Sequence, residues 1–113
     1  MNDLIEKVEA WGEEKGIVDP SNADKQFMKF MEEVFEFKTM FDLEEVNYAE
    51  TGDYIRFNDT KMEFGDVLVT LIILAKQMDL DWEECLIMAY EKIKDRKGKT
   101  IDGVFVKEED LAK

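Results

Sequence analysis

The 113 residues contain no histidine, one cysteine and one proline. Without histidine there is no imidazole general base, and a zinc site is disfavoured because zinc prefers nitrogen and sulfur ligands. Cys85 alone closes no intramolecular disulfide, which fits a reducing, cytoplasmic setting. Basic residues are scarce, 15 Lys and Arg against 28 Asp and Glu, for a net charge of -13. So acidic a chain is a poor partner for nucleic acid, whose phosphates call for a basic face, and for an anionic membrane surface. A polyanionic ligand would need cations to mediate its binding. The longest apolar run, from Val67 to Ala75, is too short to span a bilayer. The opening MNDLIEKVEA does not read as a secretory leader.

Apolar residues make up 45% and charged residues 38% of the chain, so it reads as globular and, at this length, as one domain, 1–113. Periodicity predicts four helices. The first runs from Asn2 to about Lys15, with Leu4, Ile5, Val8 and Trp11 at helical spacing and Gly16 as terminator. After GIVDPSNAD, Ser21 or Asn22 caps a second helix that runs to about Glu45, with Phe27, Phe30, Met31, Val34 and Phe41 as its apolar stripe. NYAETGDYIRFNDT reads as a loop or short hairpin. A third helix runs from Asp59 or Thr60 to about Met78 and is apolar nearly all round from Val67 to Ala75, so it is expected at the centre or in a subunit interface. Asp81 opens a fourth helix that ends near Lys97–Gly98, with Trp82, Cys85, Leu86, Ala89 and Ile93 as its core stripe. In the tail KTIDGVFVKEED, Asp-Gly between β-prone runs signals a hairpin.

Acids recur beside segments that must be buried. Gln26, Lys29, Glu33, Glu36 and Met40 step by three and four and form one ridge on the second helix. Glu63 and Asp66 share a face of the third. Antiparallel packing of these helices in a four-helix bundle would bring the two acid pairs together. Converging carboxylates repel unless cations are present, and an oxygen-only ligand set suits magnesium or manganese. A plainer account also fits the spacing. Thr60-x-x-Glu63 is a capping-box pattern, Asp66 lies near a helix start, and Glu32, Glu33 and Glu36 can pair with Lys29 or Lys38 or be solvated.

Glu32-Glu33-Val34-Phe35-Glu36 followed by Glu63-Phe64-Gly65-Asp66 resembles the E-E-x-x-E … E-x-x-D signature of the MazG-like all-α nucleoside triphosphate pyrophosphohydrolases. The flanks KQFMKFMEEV, GDVLVTLIILAKQMDLDWEECL and AYEKIKDRKGKTIDGVFVKEE are also similar to small members of that family from phages and Gram-positive bacteria. The resemblance runs from Trp11 to about Glu108. It implies an all-α four-helix bundle, here with a C-terminal β-hairpin, that forms a homodimer or homotetramer. It further implies Mg²⁺-dependent hydrolysis, Mn²⁺ being an alternative, of a (deoxy)nucleoside triphosphate to monophosphate and pyrophosphate in house-cleaning or control of nucleotide pools.

Carried over by motif position, Glu33, Glu36, Glu63 and Asp66 are the metal ligands. Glu32 or Glu36 would orient or deprotonate the attacking water. Lys92, Lys94 and Arg96 would face the leaving pyrophosphate, although basic residues at a helix end also complement the helix dipole. Lys29 is open to a phosphate contact or to a pair with Glu33, and Gln26 is a candidate for base or ribose. Phe35 stands where the family often carries a small residue, and the stretch from Asn47 to Asp59 is long for a connector inside the motif. Both departures bear on the substrate. A second class of function is a non-catalytic helical module that binds nucleotide, metal or a protein partner.

Overall fold

The computed structural model describes residues 2–111 and is mostly helical, with one short two-stranded sheet. The chain forms two compact units that meet in sequence between Leu80 and Asp81. In the first, α1 (Asn2–Glu14) is followed by a 3₁₀ turn (Pro20–Asn22), α2 (Ala23–Thr51) and α3 (Asn58–Gln77). In the second, α4 (Trp82–Ile93) leads to β1 (Gly98–Ile101), β2 (Val104–Lys107) and the single-turn α5 (Glu108–Leu111).

Helix α1 ends as its sequence suggests, with Gly16 in the left-handed region at φ 71°. The next connection departs from expectation. Asp19, not Ser21 or Asn22, supplies the local cap: its carboxylate accepts from the Ser21 N–H at 2.9 Å and the Ser21 hydroxyl at 2.8 Å. Asn22 precedes α2 without a side-chain cap bond.

Helices α2 and α3 pack antiparallel. Gln26 meets Thr70, Phe37 meets Phe64 and Glu44 meets Thr60, so contacts descend one helix as they climb the other. The packed face of α2 is Phe30, Glu33, Phe37, Met40 and Glu44, all buried or half-buried and spaced by three and four. The stripe expected from hydrophobicity differs. Phe27, Met31, Val34 and Phe41 remain exposed, and only Phe30 belongs to both sets. Aromatic and aliphatic residues occupy so much of α2 that hydrophobicity alone marks two faces, and the acids mark the one that packs.

The apolar core of this unit is small, with Ile5, Ile73 and Leu74 its buried hydrophobic residues. Gly12 lets α1 approach α3, since a Cβ there would stand 2.5 Å from Ile73 Cδ1. Gln77 donates to the Ile17 carbonyl at 2.9 Å and ties the loop after α1 to the end of α3. On α3, Leu74 is buried within the unit, whereas Leu71 and Met78 stay exposed.

The second helix is longer than its periodicity indicates. It continues past Glu45 to Thr51, where Gly52 at φ 79° caps it and donates to the Tyr48 carbonyl at 2.8 Å. No hairpin forms between Asn47 and Asp59. Tyr48 packs against Tyr54 with ring centroids 5.7 Å apart and planes tilted by 49°, and the Tyr54 hydroxyl donates to Glu45 at 2.8 Å, so these β-prone aromatics fold back onto α2.

In the second unit Asp81 caps α4, accepting from the Glu83 and Glu84 N–H groups at 3.0 Å. The helix stops at Ile93, earlier than expected. Within it Trp82 is half-buried, but Cys85, Leu86, Ala89 and Ile93, read from sequence as core, are exposed. The Asp102–Gly103 hairpin forms as its sequence indicates, with both residues at positive φ and Ile101 paired to Val104.

Candidate metal centre

Glu33 and Glu36 stand one turn apart on α2, and Glu63 lies one turn beyond Thr60 on α3. Antiparallel packing joins them: one carboxylate oxygen from each of Glu33, Glu36 and Glu63 falls within 4.8 Å of the others. Glu33 is buried at 7% exposure, Glu63 is half-buried and Glu36 is exposed. The group therefore sits at the edge of the helix pair, open on the Glu36 side.

The cluster is short of counter-charge and of donors. Lys29 reaches Glu33 Oε1 at 3.0 Å and Glu32 at 3.8 Å. Its bond to Glu33 and the adjoining negative charge raise the lysine above its ordinary pKa. Glu33 Oε2 and Glu63 Oε2 are buried and have no hydrogen-bond partner among the described residues. Such atoms are rare in folded proteins and costly where they occur. The charge on Glu33, followed by lost hydration and the charge on Glu63, pushes Glu36 above the usual carboxylate range. Three carboxylates with two orphaned oxygens form an all-oxygen donor set suited to a hard divalent cation.

The local-cap account of Glu63 does not hold. Thr60 lies inside α3, and its hydroxyl donates to Glu44 at 2.6 Å rather than capping the helix start.

The other residues singled out from sequence fall elsewhere. Asp66 is exposed and lies outside the three-glutamate group. It lines a cleft of about 360 Å³ with Lys7, Val8, Trp11 and Val69. Glu32 is exposed and pairs with Lys29. Gln26 donates to the Thr70 carbonyl at 3.4 Å. Lys92, Lys94 and Arg96 belong to the second unit. There Lys94 pairs with Glu91 at 2.6 Å, while Lys92 and Arg96 line a concavity of about 460 Å³ that also holds Asp95, Lys97 and Lys107.

One acid on the packed face went unremarked in the sequence. Glu44 has 0% exposure. It accepts from the Arg56 guanidinium, the Phe57 N–H at 2.7 Å and the Thr60 hydroxyl at 2.6 Å. Burial raises its pKa, but the bonds from Thr60 and Phe57 and the charge of Arg56 together outweigh this and hold it below the usual range. The three-and-four spacing of Phe30, Glu33, Phe37 and Met40 continues to Glu44, so the signal was present.

No family model and no solved structure matches the chain. It is similar to an uncharacterized 18.2 kDa protein from the rep-hol intergenic region of Haemophilus phage HP1, at 31% identity over 84 residues. The alignment covers 72% of this chain and 43% of the relative, so the chain spans less than half of that protein's length.

Proposed function

We propose that this chain is a Mg²⁺-dependent nucleoside triphosphate pyrophosphohydrolase of the MazG-like kind, with Glu33, Glu36 and Glu63 holding the metal. The observation that carries this reading is the convergence of the three glutamates with two buried carboxylate oxygens left unbonded. When bound, the cation would neutralise the triphosphate and lower the pKa of an attacking water. Glu33 would contribute its buried, unbonded oxygen, with Lys29 holding the other. Glu36, on the open side of the cluster, or the exposed Glu32 beside it would orient the attacking water or take its proton. Asp66, the remaining acid of the motif, is the fourth candidate ligand.

Association into a homodimer or homotetramer is part of the proposal. It is supported by the large apolar side chains that the single chain leaves in solvent, including Phe35 at 76%, Met88 at 65% and Leu86 at 63% exposure. A four-helix arrangement and a cytoplasmic location belong to the same reading. No helix among the described residues is long and apolar enough to cross a membrane.

The position of Asp66 outside the glutamate group favours one other account, a module that holds metal or nucleotide without turnover. A single assay separates the two. Pyrophosphate release is measured from a panel of canonical and modified nucleoside triphosphates, with and without Mg²⁺, in ¹⁸O-labelled water. The proposal requires Mg²⁺-dependent release, with label in the monophosphate and none in pyrophosphate. Label in orthophosphate would mean γ-phosphate hydrolysis. No turnover of any substrate, together with Mg²⁺ binding, would leave the module.

A further inference from the structure

The start of α3 lacks a cap of its own. Phe57 occupies the capping position and offers no side-chain acceptor. Glu44 substitutes from the neighbouring helix: its carboxylate takes the Phe57 N–H and, inside the first turn, the Thr60 hydroxyl, while Arg56 covers the other oxygen. Negative charge at a helix start is favourable, and a buried acceptor with several short bonds tolerates little displacement. The start of α3 is thus fastened to one position on α2.

Thr60 is three residues before Glu63, and Glu33 and Glu44 lie on the same face of α2. A shift of α3 along α2, or a rotation about its axis, would move Glu63 relative to Glu33 and Glu36 by a similar amount. We infer that Glu44 is the positioning residue of the carboxylate cluster: by capping α3 from α2, it sets the height at which Glu63 meets Glu33 and Glu36. The inference rests on the metal-site reading proposed above. Glu44 itself does not touch the cation, because its oxygens are already occupied by protein donors.

The test uses the whole chain and Mn²⁺ alone, with free Mn²⁺ counted by electron paramagnetic resonance. Thr60→Val keeps the shape of the side chain and removes one donor to Glu44. Glu44→Gln removes the charge. Both are measured at a temperature where far-UV circular dichroism shows the parent's helix content, so Thr60→Val decides the matter if Glu44→Gln does not fold. The Kd for Mn²⁺ is expected to rise about tenfold in each, the low end of what losing a partner bonded to a metal ligand costs, since Glu44 acts on Glu63 only through the placing of α3. Thr60→Ser, which retains the hydroxyl, restores the parent Kd. Ile73→Val, which loosens the core but keeps the Glu44 bonds, also leaves Kd unchanged, so a merely structural effect is distinguished from positioning. Parent-like Kd in folded Thr60→Val and Glu44→Gln overturns the inference and leaves the metal reading standing. A parent chain that binds no Mn²⁺ overturns both.

Discussion

Replacing Glu63 with glutamine should stabilise the metal-free protein and remove most of the stabilisation that Mg²⁺ gives the parent. The cluster brings carboxylate oxygens of Glu33, Glu36 and Glu63 within 4.8 Å of one another. Two full charges at that separation repel by about 3.5 kcal/mol at an effective dielectric constant of ~20. Lys29 offsets part of this at Glu33 from 3.0 Å, and water on the Glu36 side screens more. The net relief from Glu63→Gln is therefore put at about 1 kcal/mol, which for a unit of this size is a rise in Tm of about 4–8 °C. The new amide also offers a donor where Glu33 Oε2 has none.

Mg²⁺ should reverse the order. At a concentration 100-fold above its Kd, a ligand that binds only the folded state stabilises it by about 2.7 kcal/mol. The parent should gain that; the variant, with one anionic ligand fewer, should gain much less. Thermal unfolding followed by far-UV circular dichroism, in EDTA and in MgCl₂ with ionic strength matched by NaCl, measures both effects and separates binding from screening. The reasoning fails if Glu63→Gln melts below the parent in EDTA and both proteins respond equally to Mg²⁺. Glu63 would then be an ordinary packed residue.

Three further outcomes follow from the same geometry. Glu44 has a folded pKa held below its ordinary value of 4.5, so its contribution is complete above that value and is lost as pH falls through the lowered one; acid titration of Thr60→Val should show unfolding at higher pH than the parent. Glu36 has the opposite sign: with its folded pKa raised above 4.5, its contribution is complete below that value and disappears as pH rises through the raised one, so Glu36→Gln in EDTA should flatten the fall in urea midpoint over that window. Gly12→Ala places a Cβ 2.5 Å from Cδ1 of the buried Ile73 and 3.1 Å from Val18 Cγ1, and should cost about 1–3 kcal/mol by urea unfolding with little change in metal affinity.

The parts of the fold legible in the sequence were those governed by local chemistry. Gly16, the Asp81 cap and the Asp102–Gly103 turn impose backbone conformations that neighbouring residues need not approve. The misread parts depend on distant partners. The continuation of α2 to Thr51 requires Tyr54 to fold back onto Glu45 and Tyr48. The choice of packed face on α2 was hidden because Phe27, Met31, Val34 and Phe41 make a stronger hydrophobic stripe than Phe30, Phe37 and Met40, yet stay exposed in the single chain. The meeting of Glu33, Glu36 and Glu63 was legible in part: spacing put each acid pair on one helix face, and antiparallel packing brings three of the four acids together. The position of Asp66 toward Trp11 was not, because it depends on how α1 lies against α3.

The two buried glutamates of α2 show why burial alone does not identify a site. Glu33 and Glu44 are about three helical turns apart on one face, and both are withdrawn from water. Glu44 has every strong donor its surroundings can give it, a guanidinium, a backbone N–H and a hydroxyl, and its charge stabilises the fold. Glu33 has Lys29 on one oxygen and no partner among the described residues on the other, and it clusters with Glu63, which has an orphaned oxygen of its own, and with Glu36. The same helix thus holds one acid that is satisfied and one that is not. A buried carboxylate with one oxygen unbonded, beside two more acids, is a standing cost to stability. A cation would offset that cost at Glu33 and would offer nothing at Glu44. That contrast is the ground on which ligand chemistry is proposed for Glu33, Glu36 and Glu63 and positioning for Glu44. It also makes the metal-free protein the state in which the two roles are told apart: neutralising a ligand there raises Tm, whereas removing a donor from Glu44 lowers it.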